Sequence, residues 1–395
     1  MATTPHKPAC LIPLPGGPGV SGVARFAVRL AGGLAERGHA VGLLLHAPTA
    51  DVPPLDLPVS EGVRVIDCRD LPPVETTKPD VFRPGYERAI DELGGGEPCV
   101  LVLGQHAAVF SIAASLEADT IRSVGVAHSD NSYDSRVLTH YEPILHAMVG
   151  VSDEIAADLH RLNPGRSGDT RGITYGVEIP DSVATREPIG GRPLRLLYAG
   201  RLEHRQKRVL ALASLSAELD RRRIAHTLTI VGDGPARDEL ADACQNLDSV
   251  TIAPPAGPDE IAKLLDAHDA FVLPSRFEGL SIAMLEALAH GCILVVAPSR
   301  SGTAQAVLPG KTGEIARVTP DADEPAVGIA LADAVDALRR RDLAEMSERC
   351  HAHAAEHFSI DAHITRWSEL LEHTTQQTPR HWPPDRPKSF GTTGG

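Results

Sequence analysis

The chain has 395 residues with 38 basic and 52 acidic side chains, and its net charge of −14 argues against a non-specific nucleic-acid binder. Six cysteines are scattered without a CxxC spacing, which argues against a zinc site or a disulfide scaffold and favours a reducing, cytoplasmic location. A hydrophobic fraction of 42% at this length supports two globular domains, and we expect neither a signal peptide nor a membrane-spanning stretch.

Two short arginine runs, at residues 221–223 and 339–341, are candidate contacts with an anionic membrane surface. Solvated cations near helix ends are the simpler interpretation. The sequence therefore allows at most peripheral membrane contact, and it leaves the oligomeric state open.

The N-terminal part contains a glycine-rich stretch between a short apolar run and a helical pattern. It is GGPG at residues 16–19, then Ser21-Gly22, followed by FAVRLAGGLAERGHAV. Such a stretch alone is only a weak sign of phosphate binding. The proline-rich residues 51–85 that follow predict a long irregular loop.

Two histidines come at the ends of apolar runs that predict strands. His106 lies in LVLGQHAA and His128 in VGVAHSD. Each could be a satisfied structural histidine or a functional one.

The connector REPIGGRP at residues 186–193 predicts a boundary between domains at 1–185 and 194–358. The second domain opens with LYAGRL, a strand that ends in a glycine turn at Gly200. Arg201 and Lys207 follow on a polar connection, and two cations at the end of a strand could clamp a diphosphate. Two solvated surface cations are the alternative.

The segment 271–291, FVLPSRFEGLSIAMLEALAHG, predicts a buried strand, a loop and a helix capped by Ser281. Glu278 lies in the loop, and Glu286 lies in the helix. The eight-residue spacing would place them roughly 80° apart around a helix axis. Between them is a helix N-terminus, which suits a phosphate. Carboxylates that flank an anion seat indicate a nucleotide sugar, although solvated acids on an ordinary strand–helix unit are the alternative.

Together these stretches resemble the retaining glycosyltransferases of family four. The matching blocks, AGRL…QK, IVGDGP, HDAFVLPSRFEGL, LEALAHG and PGKTGEI, occur in the family's order over residues 195–318. The N-terminal half matches more loosely. Tyr175 and Gln305 depart from the family pattern, which commonly has Asn and Glu there.

The resemblance implies the GT-B fold, an α/β architecture with two doubly wound Rossmann-like domains that face a central cleft. It implies an acceptor-side domain at 1–185, with the proline-rich loop on that side, and a nucleotide-sugar-binding domain at 194–358. The last helix, 359–374, would cross back to the first domain. The remaining residues, 375–395, are rich in Pro, Gly and polar side chains, and we expect them to be disordered.

By the same resemblance, the catalytic residues would be His128, Arg201, Lys207 and Glu278. Residues near the donor would be Gly19, Gly22, Gly200, Gly279, Leu280, Ser281 and Glu286. His106 would be a structural or acceptor-pocket residue. We expect no cofactor and no metal ion, because cations can manage the phosphates of the donor substrate.

The function predicted in this way is retaining transfer of a sugar from a nucleoside diphosphate sugar to a hydroxyl group. The acceptor would be a bacterial secondary metabolite, a glycolipid or a polysaccharide, so the chain would serve carbohydrate or natural-product biosynthesis. Two alternatives stay open: a sugar-nucleotide epimerase or hydrolase on the same fold, and a non-catalytic nucleotide-sugar-binding module.

Overall fold

The computed structural model describes residues 7–15, 22–47, 58–104, 106–189 and 191–390. The chain divides into two compact units. Unit 1 is Met1–Thr174 together with His363–Gly395, and unit 2 is Tyr175–Ala362. Each unit is built around one parallel β-sheet with helices between its strands.

The strands are short and mostly buried, as the apolar runs predict. In chain order they are β1 Cys10–Leu14, β2 Val41–His46, β3 Val63–Cys68, β4 Cys99–Leu103, β5 Ile121–Ala127, β6 Leu145–Gly150, β7 Thr170–Gly172, β8 Leu194–Ala199, β9 His226–Val231, β10 Val250–Ala253, β11 Ala270–Leu273, β12 Ile293–Val296 and β13 Gly313–Ile315.

The helices alternate with these strands and carry apolar residues on the side that faces the sheet. They are α1 Gly22–Glu36, α2 Pro79–Gly94, α3 Ala107–Ala113, α4 Ser132–Tyr141, α5 Asp153–Leu162, α6 Leu210–Arg221, α7 Arg237–Cys244, α8 Pro258–Ala267, α9 Ile282–Ala289, α10 Thr303–Ala306, α11 Glu324–Leu338, α12 Leu343–His357 and α13 Ile360–Thr375.

Both sheets have the strand order of a doubly wound fold. In the described residues, unit 1 has the order β3-β2-β1-β4-β5-β6-β7 and unit 2 has the order β10-β9-β8-β11-β12-β13, with every named strand pair parallel. The order therefore reverses between β1 and β4 in unit 1, and between β8 and β11 in unit 2. Ligands of open α/β sheets bind beyond the carboxyl ends of the strands at this reversal. In unit 2, the strand order therefore places a candidate ligand site at the loops after β8 and β11.

The boundary between the units lies earlier than the connector at 186–193 predicts. Residues from Tyr175 onward belong to unit 2. The physical reason is the buried side chain of Arg186, which donates hydrogen bonds to the carbonyls of Leu265 at 3.0 Å and His290 at 2.8 Å. A connector that carries such an anchor is part of the domain.

The last helix, α13, begins in unit 2 and lies in unit 1 from His363 onward. In unit 1, the Ser368 hydroxyl lies 2.7 Å from His39 Nε2, and the Trp367 ring lies 5.8 Å from Phe26. These buried contacts fix the helix on the α1 side of the sheet.

The segment after α13 is not disordered as expected, because residues 376–390 pack on unit 1. Arg122 Nε donates to the carbonyl of Gln377 at 2.8 Å, and the Tyr141 hydroxyl donates to the carbonyl of Lys388 at 2.7 Å. The content of Pro, Gly and polar residues predicted disorder. The Trp382 ring nevertheless packs at a tilt against Tyr141, with ring centroids 5.3 Å apart, and this contact anchors the segment.

The described part of the proline-rich stretch 51–85 also differs from a long loop. It forms the edge strand β3, paired with β2, and the start of α2. Pro79 stands at the first position of α2, where proline costs no hydrogen bond.

Across the described ranges, none of the helices has the length and apolar character that a bilayer crossing requires.

Candidate functional site

The loops that follow β8 and β9 are joined backbone to backbone at the carboxyl edge of the unit 2 sheet. Gly200 N donates to Val231 O at 3.0 Å. Leu202 N donates to Asp233 O at 2.9 Å. Gly232 has φ 152°, and a Cβ there would lie 1.9 Å from the Gly200 oxygen. Because only a residue without a Cβ fits at position 232, the glycine of the GDG block lets its loop pack directly against the loop of the AGRL block.

Arg201 projects from this joined loop. Its side chain is exposed, and its carbonyl accepts a hydrogen bond from the buried Tyr198 hydroxyl at 2.8 Å. Burial, together with the negative charge of Glu278, raises the pKa of Tyr198 well above its usual value. The hydroxyl therefore stays a donor and holds the backbone of Arg201, while the guanidinium is available to a ligand.

Lys207 and Glu278, both predicted site residues, form an ion pair. Lys207 Nζ lies 2.5 Å from Glu278 Oε1, and the two side chains are only 19% and 11% exposed. Gln206 Nε2 donates to the other carboxylate oxygen at 3.3 Å. Glu203 Oε1 accepts the backbone N–H groups of Gln206 and Lys207 at 2.9 and 2.6 Å. The structure thus places a cation and a carboxylate together, in a position where solvent screens them weakly.

Arg208, next in the chain, is a structural residue that the sequence analysis missed. Its side chain is buried and donates to the carbonyls of Pro274 at 2.8 Å, Ser275 at 2.9 Å and Pro320 at 3.1 Å. Its backbone has φ 48°, a conformation that costs roughly 1–2 kcal/mol outside glycine. Burial lowers the pKa of Arg208 to about 10, so the side chain remains charged at neutral pH. Arg208 ties the loop after β11 to the loop before α11.

The loop between β11 and α9 has the form that the sequence predicts. Ser281 is the N-cap of α9, and its Oγ accepts from Met284 N at 3.4 Å, so the predicted helix start is confirmed. Gly291, with φ 69°, follows the C-cap, which confirms the predicted stop. Gly279 and Leu280 are buried within the loop. The first turn of α9 offers backbone N–H groups that lack partners within the helix.

A second loop packs against Gly279 and restricts it. Ser301 Oγ donates to the Gly279 carbonyl at 2.9 Å. Gly302 has φ 72°, and a Cβ there would lie 2.3 Å from that same carbonyl oxygen. Glu286 lies half-buried on α9, so the two predicted glutamates belong to one loop–helix segment. Their contacts with a donor stay a prediction.

His128 lies in unit 1, directly after β5, and lines a small cavity with Phe26 and Gly104. The rings of Phe26 and His128 are 5.1 Å apart, edge to face. A Cβ on Gly104 would lie 2.5 Å from His128 Nε2, so the glycine makes room for the imidazole. Burial lowers the pKa of His128 to about 3, and the ring is therefore neutral at neutral pH.

The backbone around His128 is held by Asp134, a second residue that the sequence analysis missed. Asp134 Oδ2 accepts from His128 N at 2.9 Å and from Ser129 N at 3.0 Å. Burial raises the pKa of Asp134 to about 6, although these hydrogen bonds oppose the rise. The spacing D-N-S-Y-D at the start of α4 is a helix-capping pattern that could have pointed to this carboxylate.

His106 has a structural role in the described residues. It is the N-cap of α3, and its Nδ1 accepts from Ala108 N at 3.2 Å. Burial lowers its pKa, with Glu75 opposing. The Tyr133 hydroxyl accepts from the neighbouring Ala107 N at 3.1 Å.

The remaining predicted positions have different outcomes. Gly22 begins α1, whereas Gly19 lies outside the described residues. Tyr175 is buried, and the Gln305 carbonyl lies 2.7 Å from His353 Nε2. Within the ranges that the structure describes, no group of three or more His, Cys, Asp or Glu residues is placed to hold a metal ion.

The polar residues missed by the sequence analysis differ in how strong their local signal is. Glu203 and Gln206 precede Lys207 in the polar connection, so the spacing alone places them near it. The bonds of Arg208 run to carbonyls 66 to 112 residues away, and nothing local signals them.

Comparisons with known proteins identify related glycosyltransferases. The model of the family described as Glycosyl transferases group 1 matches residues 193–340. Glycogen synthase of Mycobacterium tuberculosis is 28% identical over 330 residues, which cover 74% of this chain and 78% of the relative. The match spans both units of the chain.

Two solved structures show the same fold. Sucrose-phosphate synthase from Thermosynechococcus elongatus has a TM-score of 0.74 and 16% identity, covering 93% of this chain and 99% of that chain. Anabaena HepE, solved in complex with UDP and glucose, has a TM-score of 0.68 and 16% identity, covering 92% and 99%. The sequence-based expectation of an α/β GT-B protein is confirmed. Over residues 193–340 the chain is similar to the group 1 glycosyltransferases, and it is an enzyme of the GT-B fold.

Proposed function

We propose that this glycosyltransferase moves a sugar from a nucleoside diphosphate sugar to a hydroxyl-bearing acceptor with retention of the anomeric configuration. The observation that carries the proposal is the pair of Lys207 and Glu278 beside the N-terminus of α9. A diphosphate needs cations and N–H donors, and sugar hydroxyls need a carboxylate acceptor. Both requirements are met at the sheet edge where doubly wound folds bind ligands.

Each charged residue has a role in this proposal. The departing diphosphate would draw Lys207 away from Glu278, and Arg201 would fork two phosphate oxygens from the exposed side of the loop. Charge that develops on the leaving group would be stabilised by these cations and by the first turn of α9. Glu278, released from Lys207, would accept hydroxyl groups of the sugar. Glu286 would accept the ribose hydroxyls.

The residues of unit 1 would serve the sugar and acceptor. His128 is neutral at neutral pH, so it can donate one hydrogen bond and accept another without adding charge near the reacting carbon. Gly22, at the start of α1, would allow the backbone to approach the donor phosphates. No side chain is assigned as a nucleophile. We expect no metal requirement, because Arg201 and Lys207 would neutralise the charge of the diphosphate.

The donor base, the sugar and the acceptor are open, and a UDP-sugar is the first donor to test because HepE was solved with UDP and glucose. A secondary metabolite, a glycolipid or a polysaccharide remains the expected acceptor class. A cytoplasmic location stays a prediction from cysteine usage.

The proposal is tested by incubating the purified chain with UDP-, GDP-, ADP- and dTDP-sugars, with and without a panel of hydroxyl acceptors, in buffer containing EDTA. We expect a product whose anomeric proton coupling in NMR matches that of the donor. Donor turnover that needs no acceptor would support the epimerase or hydrolase alternative instead. Donor binding without turnover under any condition would support the binding module.

A further inference from the structure

Unit 1 contains a cavity of about 470 Å³ under the segment 376–390, at the opposite end of the sheet from His128. Ile121 and Ile144 line it, and they stand at or next to the amino ends of β5 and β6. His128 follows the carboxyl end of β5, which is seven residues long, so the two places are separated by roughly 20 Å along the strand. The cavity is therefore distinct from the sugar-transfer site proposed above.

The floor of the cavity is apolar and its rim is cationic. Small aliphatic side chains from the end of α3 form the floor with the two isoleucines. Arg380, Arg386 and Lys388, all from the C-terminal segment, supply positive charge around the opening. The chain as a whole has a net charge of −14, so a cluster of three cations runs against its general character.

The acids near the cavity neutralise this rim only in part. Asp169 Oδ2 lies 3.1 Å from Arg166 and 3.4 Å from Arg380. Glu142 Oε1 pairs with Arg166 at 2.5 Å, so Arg380 is the rim cation with a carboxylate partner. Glu117 also lines the cavity, but its side chain is 78% exposed and lies 3.9 Å from Arg83, which does not line the cavity. Arg386 lies over the Trp382 ring at 5.5 Å, an arrangement that fixes the guanidinium without cancelling its charge.

Two neighbouring histidines respond to the positive charge. The pKa of His146 is lowered to about 4, mainly by burial and then by Arg122 and Arg380. The pKa of His140 is lowered by burial and then by Arg386. Both rings are therefore neutral at neutral pH and add no charge to the rim.

The segment that closes the cavity is held firmly. His146 Nε2 lies 3.2 Å from the Thr378 carbonyl, while its Nδ1 accepts from Ser123 N at 3.0 Å. Trp382 Nε1 donates to the Arg386 carbonyl at 2.6 Å, and this bond closes the turn formed by residues 382–386. These bonds hold the backbone that carries the rim cations, which lowers the cost of ordering the segment when a ligand binds.

We propose that this cavity binds the phosphate monoester of a small molecule, with the phosphate held by Arg386, Lys388 and Arg380 and the organic part on the apolar floor. The volume is that of a small-metabolite site, and guanidinium groups match the geometry of a phosphate. The same monoester chemistry is presented by a soluble sugar phosphate and by the headgroup of phosphatidic acid.

The full chain is titrated by calorimetry with glucose 6-phosphate and sn-glycerol 3-phosphate, with glucose as the uncharged control. In a second arm it is sedimented with vesicles of phosphatidic acid in phosphatidylcholine. We expect binding of the soluble esters, weakening with added salt, and no binding of glucose. Binding to phosphatidic acid vesicles alone would identify the lipid headgroup as the source of the monoester.

The double substitution Arg386→Gln with Lys388→Gln should raise the dissociation constant at least about ten-fold, because it removes two charge-assisted contacts. Arg339→Gln with Arg340→Gln removes the same charge from the end of α11 and should leave binding unchanged. Hydrogen exchange of residues 376–390 is followed in the unsubstituted chain, where the ligand should slow it, so the result does not depend on the variant folding. Equal affinity in both double variants, or no binding of either class of monoester, would overturn the proposal.

Discussion

The two units use ionisable side chains in opposite ways. Unit 1 buries neutral histidines: burial lowers the pKa of His46, His146 and His363 to about 4, and each ring has a hydrogen-bond partner. Unit 2 instead places full charges in its loops, above all Arg208 and the pair of Lys207 with Glu278. In this chain, neutral histidines together with the buried Arg122 and Arg166 tie the first unit together, and buried or half-buried charges shape the candidate site of the second.

This contrast determines what a substitution does in each unit. A charge that ties loops at the sheet edge can change both stability and sugar transfer, whereas the structural histidines His46, His146 and His363 act on stability through protonation. Four measurements test this contrast, and the expected change in stability or activity decreases from the Arg208 variant to the Tyr133 variant.

Arg208→Ala should have the largest effect. It leaves the carbonyls of Pro274, Ser275 and Pro320 without their partner, and each buried group left unsatisfied costs about 1–3 kcal/mol. Urea unfolding followed by circular dichroism measures the loss. Arg205→Ala, at an exposed position in the same connection, is the control and should change the midpoint little. Equal midpoints for the two variants would show that Arg208 does not hold the loops.

Glu278→Gln should reduce the kcat of transfer by about 10²- to 10³-fold, the usual cost of one preorganised electrostatic contact in an active site. The amide keeps the size of the side chain but leaves Lys207 without its carboxylate, so the unfolding midpoint should also fall, and kcat is measured where the variant is fully folded. Steady-state kinetics with the identified donor provides the readout. Glu345→Gln on α12, where the side chain is 58% exposed, is the matched control. A variant with unchanged kcat would remove Glu278 from the catalytic residues.

Acid should weaken unit 1 before unit 2. The folded pKa values of His46, His146 and His363 lie near 4, below the value of about 6.5 in an unfolded chain, so the unfolded state binds more protons. Their contribution to stability is complete above pH 6.5 and is lost as the pH falls from 6.5 towards 4. Each fully buried histidine can account for roughly 1.4 kcal/mol per pH unit in that window.

Hydrogen exchange measured by mass spectrometry at pH 7 and pH 5, corrected for the intrinsic rates, checks this expectation peptide by peptide. Strands β2 and β6 of unit 1 should lose protection. Strands β8 and β11 of unit 2 are the internal control, since in the described residues of that unit only His268 has a lowered histidine pKa. Parallel loss in both units would contradict the contrast between them.

Tyr133→Phe should have the smallest effect. It removes the hydroxyl that accepts from Ala107 N at 3.1 Å, and one such hydrogen bond is worth about 1 kcal/mol. The ring contact with Phe390, at 5.9 Å, is retained. A shift in the urea midpoint of this size, with donor affinity unchanged, is the expected result. Loss of donor affinity would instead show that Tyr133 belongs to the donor-binding site and does not only support the fold around it.

Much of the site in unit 2 was predictable because its signals are local. The glycine turn at Gly200, the cation Lys207 and the cap Ser281 each lie next to an apolar run that forms a strand or a helix. Parallel strands end at one edge, so their following loops are neighbours once the strand order is known. The pairing of Lys207 with Glu278 itself was not predicted, because it joins residues 71 positions apart.

Local sequence patterns were enough to predict the α/β class, the alternation of strands and helices, the position of α9 and the family resemblance, because periodicity and motif spacing act over a few residues. The folded chain was needed to show where the units divide, that residues 376–390 pack on unit 1, and which carbonyls Arg208 binds. Those outcomes depend on burial and on contacts between distant segments, and in composition alone a buried arginine or tryptophan looks the same as an exposed one.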